Sequence, residues 1–153
     1  GWGGPLRPTR LKPNEQITHM TLWCMQAAPL ILGCDVTNLD DFTMALLTND
    51  EVLDVDQDPL GKAAGRIAQE GRTEVWARPL SDDTNAVALF NRGMKSETVR
   101  VSWKQLGRTG PQPVRDLWQQ KDLGERADGF ETVVPPHGAV LIKVGKPSPS
   151  QDR

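Results

Sequence analysis

The chain has 153 residues, of which 37% are hydrophobic and 25% are charged, and its formal net charge is −2. This length fits one domain or two small ones, and the composition allows a packed core. The slightly negative charge argues against nucleic-acid binding, which needs a clustered basic face. No apolar run approaches the roughly 20 residues of a membrane-spanning helix.

The first half of the sequence predicts a helix, a buried strand and a second helix. Apolar residues recur at helical spacing over 15–28, after Asn14 as a predicted N-cap. Pro29 should end this helix, because proline lacks the backbone N–H that the helix needs. The unbroken apolar run 29–34 is typical of a strand buried on both faces in a parallel sheet. A second helix, capped by Asn38, should follow, and this order of elements indicates an α/β unit.

The second half changes its hydrophobic period near Pro59, where alternation replaces the helical spacing. Turn residues separate the alternating segments, for example at 81–83 and 135–138. Short strands are predicted at 64–69, 73–79, 85–91, 97–103, 113–118, 130–134 and 139–144. Seven strands at this spacing indicate an antiparallel β-sandwich, and the polar tail 146–153 is expected to fray.

Several chemically suggestive motifs have simpler interpretations. The alternating acids of 54–58 resemble a calcium loop, but the positions that need Gly and Glu hold Pro59 and Gly65. Ser81-Asp82-Asp83 resembles a carboxylate pair, yet it stands between two strands and is predicted to be a hairpin turn. Cys24 and Cys34 are interpreted as free, mostly buried thiols, and no spacing of ligands predicts a metal site.

The five tryptophans raise the possibility of a surface that stacks on sugars. Trp23 and Trp103 follow apolar patterns and are predicted to lie in the core. Trp76 and Trp118 fit either a core or an interface. Trp2 lies in a glycine-rich opening loop, so a contact with a ligand stays open as an alternative. That loop, which begins at glycine, suggests a mature or truncated start.

Two stretches of the first half carry a family resemblance. LWCMQAAPLILGCD at 22–35 and LTNDEVLDVDQDPLG at 47–61 resemble the last part of the catalytic barrel in the α-galactosidases of glycoside hydrolase family 27. EVWARPL at 74–80 and AVALFNRG at 86–93 are weaker matches in the second half, and the opening residues are similar to a bacterial branch of that family.

The resemblance implies an α/β barrel remnant plus an all-β domain, that is, the end of a (β/α)8 barrel followed by an antiparallel β-sandwich. Residues 1–59 would be the barrel end with its helix, strand eight and last helix. Residues 60–145 would be the sandwich, and 146–153 a flexible tail. The boundary coincides with the change of period near Pro59.

The same resemblance implies a retaining mechanism, in which a carboxylate nucleophile and a carboxyl acid/base stand about 5–5.5 Å apart. In the family the nucleophile lies on strand four of the barrel and the acid/base lies after strand six, so no catalytic residue is expected here. Trp2 and Asp35 are the only candidates for substrate contact, since both would lie near the barrel mouth.

The implied substrate of a full-length relative is a terminal α-linked galactoside, with no cofactor and no metal. The chain by itself is expected to be inactive and to self-associate through exposed barrel surface. No nucleic-acid or membrane partner is expected. The resemblance to a bacterial branch suggests a secreted or periplasmic relative, while the sequence leaves the compartment of this chain open.

Two further hypotheses belong to other classes of function. The sandwich could be an autonomous module that binds carbohydrate or protein, with the helices packed beside it. Alternatively, the chain could be a scaffold or a pseudogene product that needs a complementary fragment.

Overall fold

Three helices form the first part of the chain in the computed structural model, which describes residue 7 and residues 9–146. They are α1 (Pro13–Met25), α2 (Asp41–Leu47) and α3 (Asp50–Asp56). None of the helices in this described part is long and apolar enough to span a membrane.

The helix N-termini differ from the predicted ones. α1 begins at Pro13, whose fixed φ suits the first helical position, and Glu15 accepts a 2.7 Å hydrogen bond from the Lys12 N–H. Asn14 is therefore inside the helix and is not its N-cap. Asp40, not Asn38, caps α2 by accepting from the Thr43 N–H at 2.7 Å. Each correction moves the N-cap by two residues, to Lys12 for α1 and to Asp40 for α2.

The predicted strand at 29–34 is absent, and the segment has no regular secondary structure. Ile31 is 86% exposed and Leu32 is 49% exposed. A strand of a parallel sheet needs neighbours that accept and donate its backbone hydrogen bonds. No strand of the described residues pairs with this segment, so its apolar pattern alone does not form one.

Eight strands in two antiparallel sheets follow in the described part of the chain. β1 to β4 are Gly65–Glu70, Thr73–Pro79, Asn85–Asn91 and Glu97–Ser102; β5 to β8 are Gln112–Asp116, Lys121–Arg126, Gly129–Val134 and Ala139–Val144. One sheet has the order β1-β2-β3-β8-β5-β6, and the other consists of β4 and β7. The antiparallel sandwich is confirmed, and β6 is a strand that the sequence did not predict.

The large sheet is covered on both faces, which β3 shows directly. Val87 and Leu89 pack with the β4–β7 sheet in one core cluster. Ala86, Ala88 and Phe90 point to the other face and pack with the helices in a second cluster. The described residues therefore form three layers, with helices on one side of the large sheet and the small sheet on the other.

Polar contacts also join the helices to the sandwich. The clearest is the pair of hydrogen bonds from Arg115 Nε and Nη2 to the Glu51 carboxylate, at 2.7 and 2.5 Å. Others run from Thr18 to the His137 carbonyl, from Trp118 to Thr21, and from Asn49 to the Leu117 carbonyl. The change of hydrophobic period near Pro59 thus marks the point where helices are followed by strands. The helices and the sandwich nevertheless pack against each other.

Candidate functional site

An exposed apolar face lies on the helical layer, on the side away from the sandwich. Of the eleven large hydrophobic side chains that are exposed among the described residues, eight fall between residues 11 and 44. Such a concentration on one part of a chain is typical of a surface that another element covers. We give the name apolar face to the part of this surface that surrounds one groove; its exposed large hydrophobic members are Leu11, Trp23, Ile31 and Leu32.

A groove of about 540 Å³ runs through the apolar face, between α1 and the segment 30–34. Trp23 forms part of its wall and is 41% exposed, so the prediction that it lies in the core is wrong. Its indole N–H donates to the Pro29 carbonyl at 3.1 Å, and His19 meets its ring edge-on at 5.6 Å. The tryptophan is thus held in place with much of its ring facing solvent.

The thiols differ in burial. Cys24 is fully buried, and burial raises its pKa to about 12. Cys34 is exposed and lines the groove, contrary to the expectation that both thiols are buried. Cys34 is exposed for the same reason as Ile31, because the segment that carries both side chains pairs with none of the strands that the structure describes.

Asp35, one of the two candidate contact residues, is fixed by a local turn. Its Oδ1 accepts hydrogen bonds from the Thr37 hydroxyl at 2.7 Å and from the Thr37 N–H at 3.0 Å. These bonds lower the pKa of the Asp35 carboxyl, so it is ionised at neutral pH. Trp2, the other candidate, lies outside the described residues. Within the described residues, Thr37 is the residue that holds the Asp35 carboxylate in place.

The remaining acidic motifs have structural roles. Asp82 forms an ion pair with Lys143 at 2.7 Å within the predicted hairpin turn, and it also accepts from the Thr84 N–H. Burial opposes the ionisation of Asp82, but these hydrogen bonds outweigh it and lower its pKa. Asp58 accepts from the Ser81 hydroxyl at 2.8 Å. Across the described part of the chain, no group of three or more His, Cys, Asp or Glu side chains could hold a metal.

Both the helical part and the sandwich of the chain match models of α-galactosidase domains. The family described as "Alpha galactosidase A" matches residues 9–58, and the "Alpha galactosidase C-terminal beta sandwich domain" matches residues 70–144. A probable alpha-galactosidase of Dictyostelium discoideum is 35% identical over 135 residues, which are 84% of this chain and 35% of that protein. Alpha-galactosidase 3 of Arabidopsis thaliana is 42% identical over 130 residues, or 81% of this chain and 30% of its own length.

Solved structures agree with the sequence comparison. A family 27 β-L-arabinopyranosidase from Geobacillus stearothermophilus superposes with a TM-score of 0.86 at 36% identity, over 99% of this chain and 34% of that one. Alpha-galactosidase I of Mortierella vinacea gives 0.85 at 32% identity, over 91% of this chain and 38% of its own. The chain therefore spans about a third of the length of the proteins that it matches.

Proposed function

The chain belongs to the α-galactosidase family of glycoside hydrolases, family 27. From that premise we propose that it forms the end of the catalytic barrel and the β-sandwich of a retaining α-galactoside hydrolase. Residues 1–59 are assigned to the barrel and residues 60–145 to the sandwich. The sugar is a terminal α-linked galactose or a pyranose of the same stereochemistry, since a related structure of this family is described in complex with arabinose.

The apolar face is the observation that carries the proposal. Ile31 and Leu32 are exposed in a segment that resembles a barrel strand in sequence. Each strand of a closed barrel pairs with a neighbour on either side, and its side chains are covered on both faces. The preceding strands of a family barrel would supply these partners, and the apolar face would then be covered by them.

The chemistry is proposed to come from that preceding part of the barrel. A retaining glycosidase needs two carboxyl groups about 5–5.5 Å apart across the scissile bond. The Asp35 carboxylate is held in a local turn by Thr37, and Asp82 is paired with Lys143 in a turn of the sandwich. Asp35 and Trp2 are proposed to contact the sugar at the barrel mouth without taking part in bond cleavage.

A carbohydrate-binding role for the sandwich alone has less support, because its tryptophans are engaged in the fold. Trp103 is 2% exposed and donates its indole N–H to the Arg126 carbonyl at 2.8 Å. Trp118 donates to Thr21 across the helix–sheet interface, and Trp76 donates to Glu74. None of these three rings forms an open platform for stacking on a sugar.

A chimera tests the proposal. This chain would replace the matching third of Arabidopsis thaliana alpha-galactosidase 3, and turnover of a chromogenic α-galactoside would be measured. We expect turnover from the chimera and none from this chain alone or from the relative without its last third. Turnover by this chain alone, or a folded chimera without any turnover, would contradict the proposal.

The same face is proposed to drive self-association when the chain is alone. Ile31→Asp should shift the chain toward monomer in sedimentation velocity, because a charge in an apolar contact is costly. Val133→Asp is the matched control, since Val133 is 62% exposed on the sandwich, away from the apolar face. Equal self-association of both variants and the unchanged chain would exclude the apolar face as the contact.

A further inference from the structure

A buried charge lies where α1, α3 and β2 meet. The side chain of Arg78, on β2, has no exposed surface. Its Nη1 donates a 2.8 Å hydrogen bond to the carbonyl oxygen of Cys24, near the end of α1. This bond uses Nη1 of the guanidinium. The N–H groups of Nε and Nη2, on the opposite edge, need other hydrogen-bond acceptors.

Three enclosed polar atoms at this place have no protein partner in the described part of the chain. They are Nε and Nη2 of Arg78 and Oδ1 of Asp56, the last residue of α3. Folded proteins pair the great majority of such atoms, because an enclosed donor or acceptor without a hydrogen bond costs about 1–3 kcal/mol. Burial raises the pKa of the Asp56 carboxyl, and the nearby positive charge of Arg78 opposes that rise.

The types of the three atoms match a single water molecule. Nε–H and Nη2–H point from the same edge of the guanidinium, and both donate. A water accepts two hydrogen bonds and can donate to the carboxylate oxygen, which gives the three bonds that buried waters typically make. A chloride ion would meet the Asp56 carboxylate, and a sodium ion would meet the guanidinium, so each of these ions would face a like charge.

We propose that a buried water molecule binds between the Nε/Nη2 edge of Arg78 and Oδ1 of Asp56. The water makes the two side chains a solvent-mediated ion pair between α3 and β2. Through this water the Asp56 carboxylate supplies the counter-charge of the buried guanidinium, and Arg78 stays in position to donate to the Cys24 carbonyl. α1, α3 and β2 are thereby fixed to one another at one further polar point of the interface between the helices and the large sheet.

A high-resolution crystal structure of the chain tests the site directly. We expect one peak of solvent density within hydrogen-bond distance of all three atoms, and its loss in Arg78→Met. A direct ion pair between Asp56 and Arg78, a peak refined as chloride, or no density between the side chains would each overturn the proposal.

A double-mutant cycle tests the coupling between the two side chains. Arg78→Met and Asp56→Leu should each lower the equilibrium constant for folding by roughly a hundredfold, because each leaves a partner enclosed and unpaired. The double variant should be at least about tenfold more stable than the product of the two losses predicts. Asp54→Leu, at an exposed position of the same helix, should show no coupling to Arg78→Met. Additive losses for Arg78→Met and Asp56→Leu would overturn the mediated pair.

Discussion

Leu141→Ala tests whether the helices and the sandwich form one cooperative unit. Leu141 lies on β8 with no exposed surface and packs in the core cluster that the large sheet shares with the helices. Its neighbour Ile142 is equally buried but packs against the small sheet. Leu141 therefore probes the core between the helices and the large sheet, while the next residue, Ile142, probes the core between the two sheets.

The expected loss follows from the buried volume that the substitution removes. Leu→Ala deletes three carbon groups at about 0.8 kcal/mol each, and the cavity that remains raises the cost to about 3 kcal/mol. With a urea dependence of about 2 kcal/mol per molar, the midpoint of unfolding should fall by about 1.5 M. Ile142→Ala should give a loss of the same order.

Urea unfolding would be followed in two signals, the far-ultraviolet circular dichroism of the helices and the fluorescence of the buried Trp103 in a chain whose other four tryptophans are replaced by phenylalanine. We expect both signals of Leu141→Ala to shift together, because the large sheet contributes side chains to both core clusters and so joins the layers. A helical signal that is lost early, while the Trp103 transition stays at the midpoint of the unchanged chain, would refute the reasoning. The sandwich would then be independent of the helices.

Two further predictions concern single side chains. Glu51→Gln should lower the free energy of unfolding by about 1 kcal/mol, because the bidentate ion pair of Glu51 with Arg115 is partly buried. Glu131→Gln is the control and should have no measurable effect, because the ion pair of Glu131 with Arg100 is exposed. Equal urea midpoints of the two variants would contradict this prediction. In the native chain Cys34 should react with a thiol reagent while Cys24 should react only after unfolding. Since the folded state raises the pKa of Cys24 from 9.0 to about 12, its contribution to stability should be complete below pH 9 and be lost as the pH rises toward 12. A Cys24 that is labelled as fast as Cys34 would exclude the buried position.

The sequence predicted those strands that carry a clear alternation between good turn residues. β3 is the best example, because Ser81-Asp82-Asp83 marks the turn before it and its side chains pack on two sides of the sheet. β6 was not predicted, since Leu123 is its only large apolar side chain and the strand is an edge of the sheet. An edge strand is defined by pairing with its neighbour, here β5, which local pattern does not reveal.

The errors in the helical part have a common cause. The run 29–34 and Trp23 have the apolar character of buried residues, and the sequence predicted burial for both. In the structure they lie on the apolar face, because burial depends on what covers a segment as well as on its own side chains. Arg78 is a charged residue that is buried, although its charge alone predicts exposure. Its guanidinium donates to the carbonyl of Cys24, which is 54 residues away in the sequence, so the local pattern does not reveal the burial.

Amide hydrogen exchange across 29–34 tests the central claim most directly, because the claim is that this segment becomes a barrel strand when its neighbours are present. The exchange would be measured in this chain alone, as monomer, and in the chimera with the Arabidopsis relative. We expect fast exchange at Ile31 and Leu32 in the chain and strong protection in the chimera, while β3 stays protected in both. Equal exchange of the segment in the two proteins would contradict the claim that the apolar face completes a barrel.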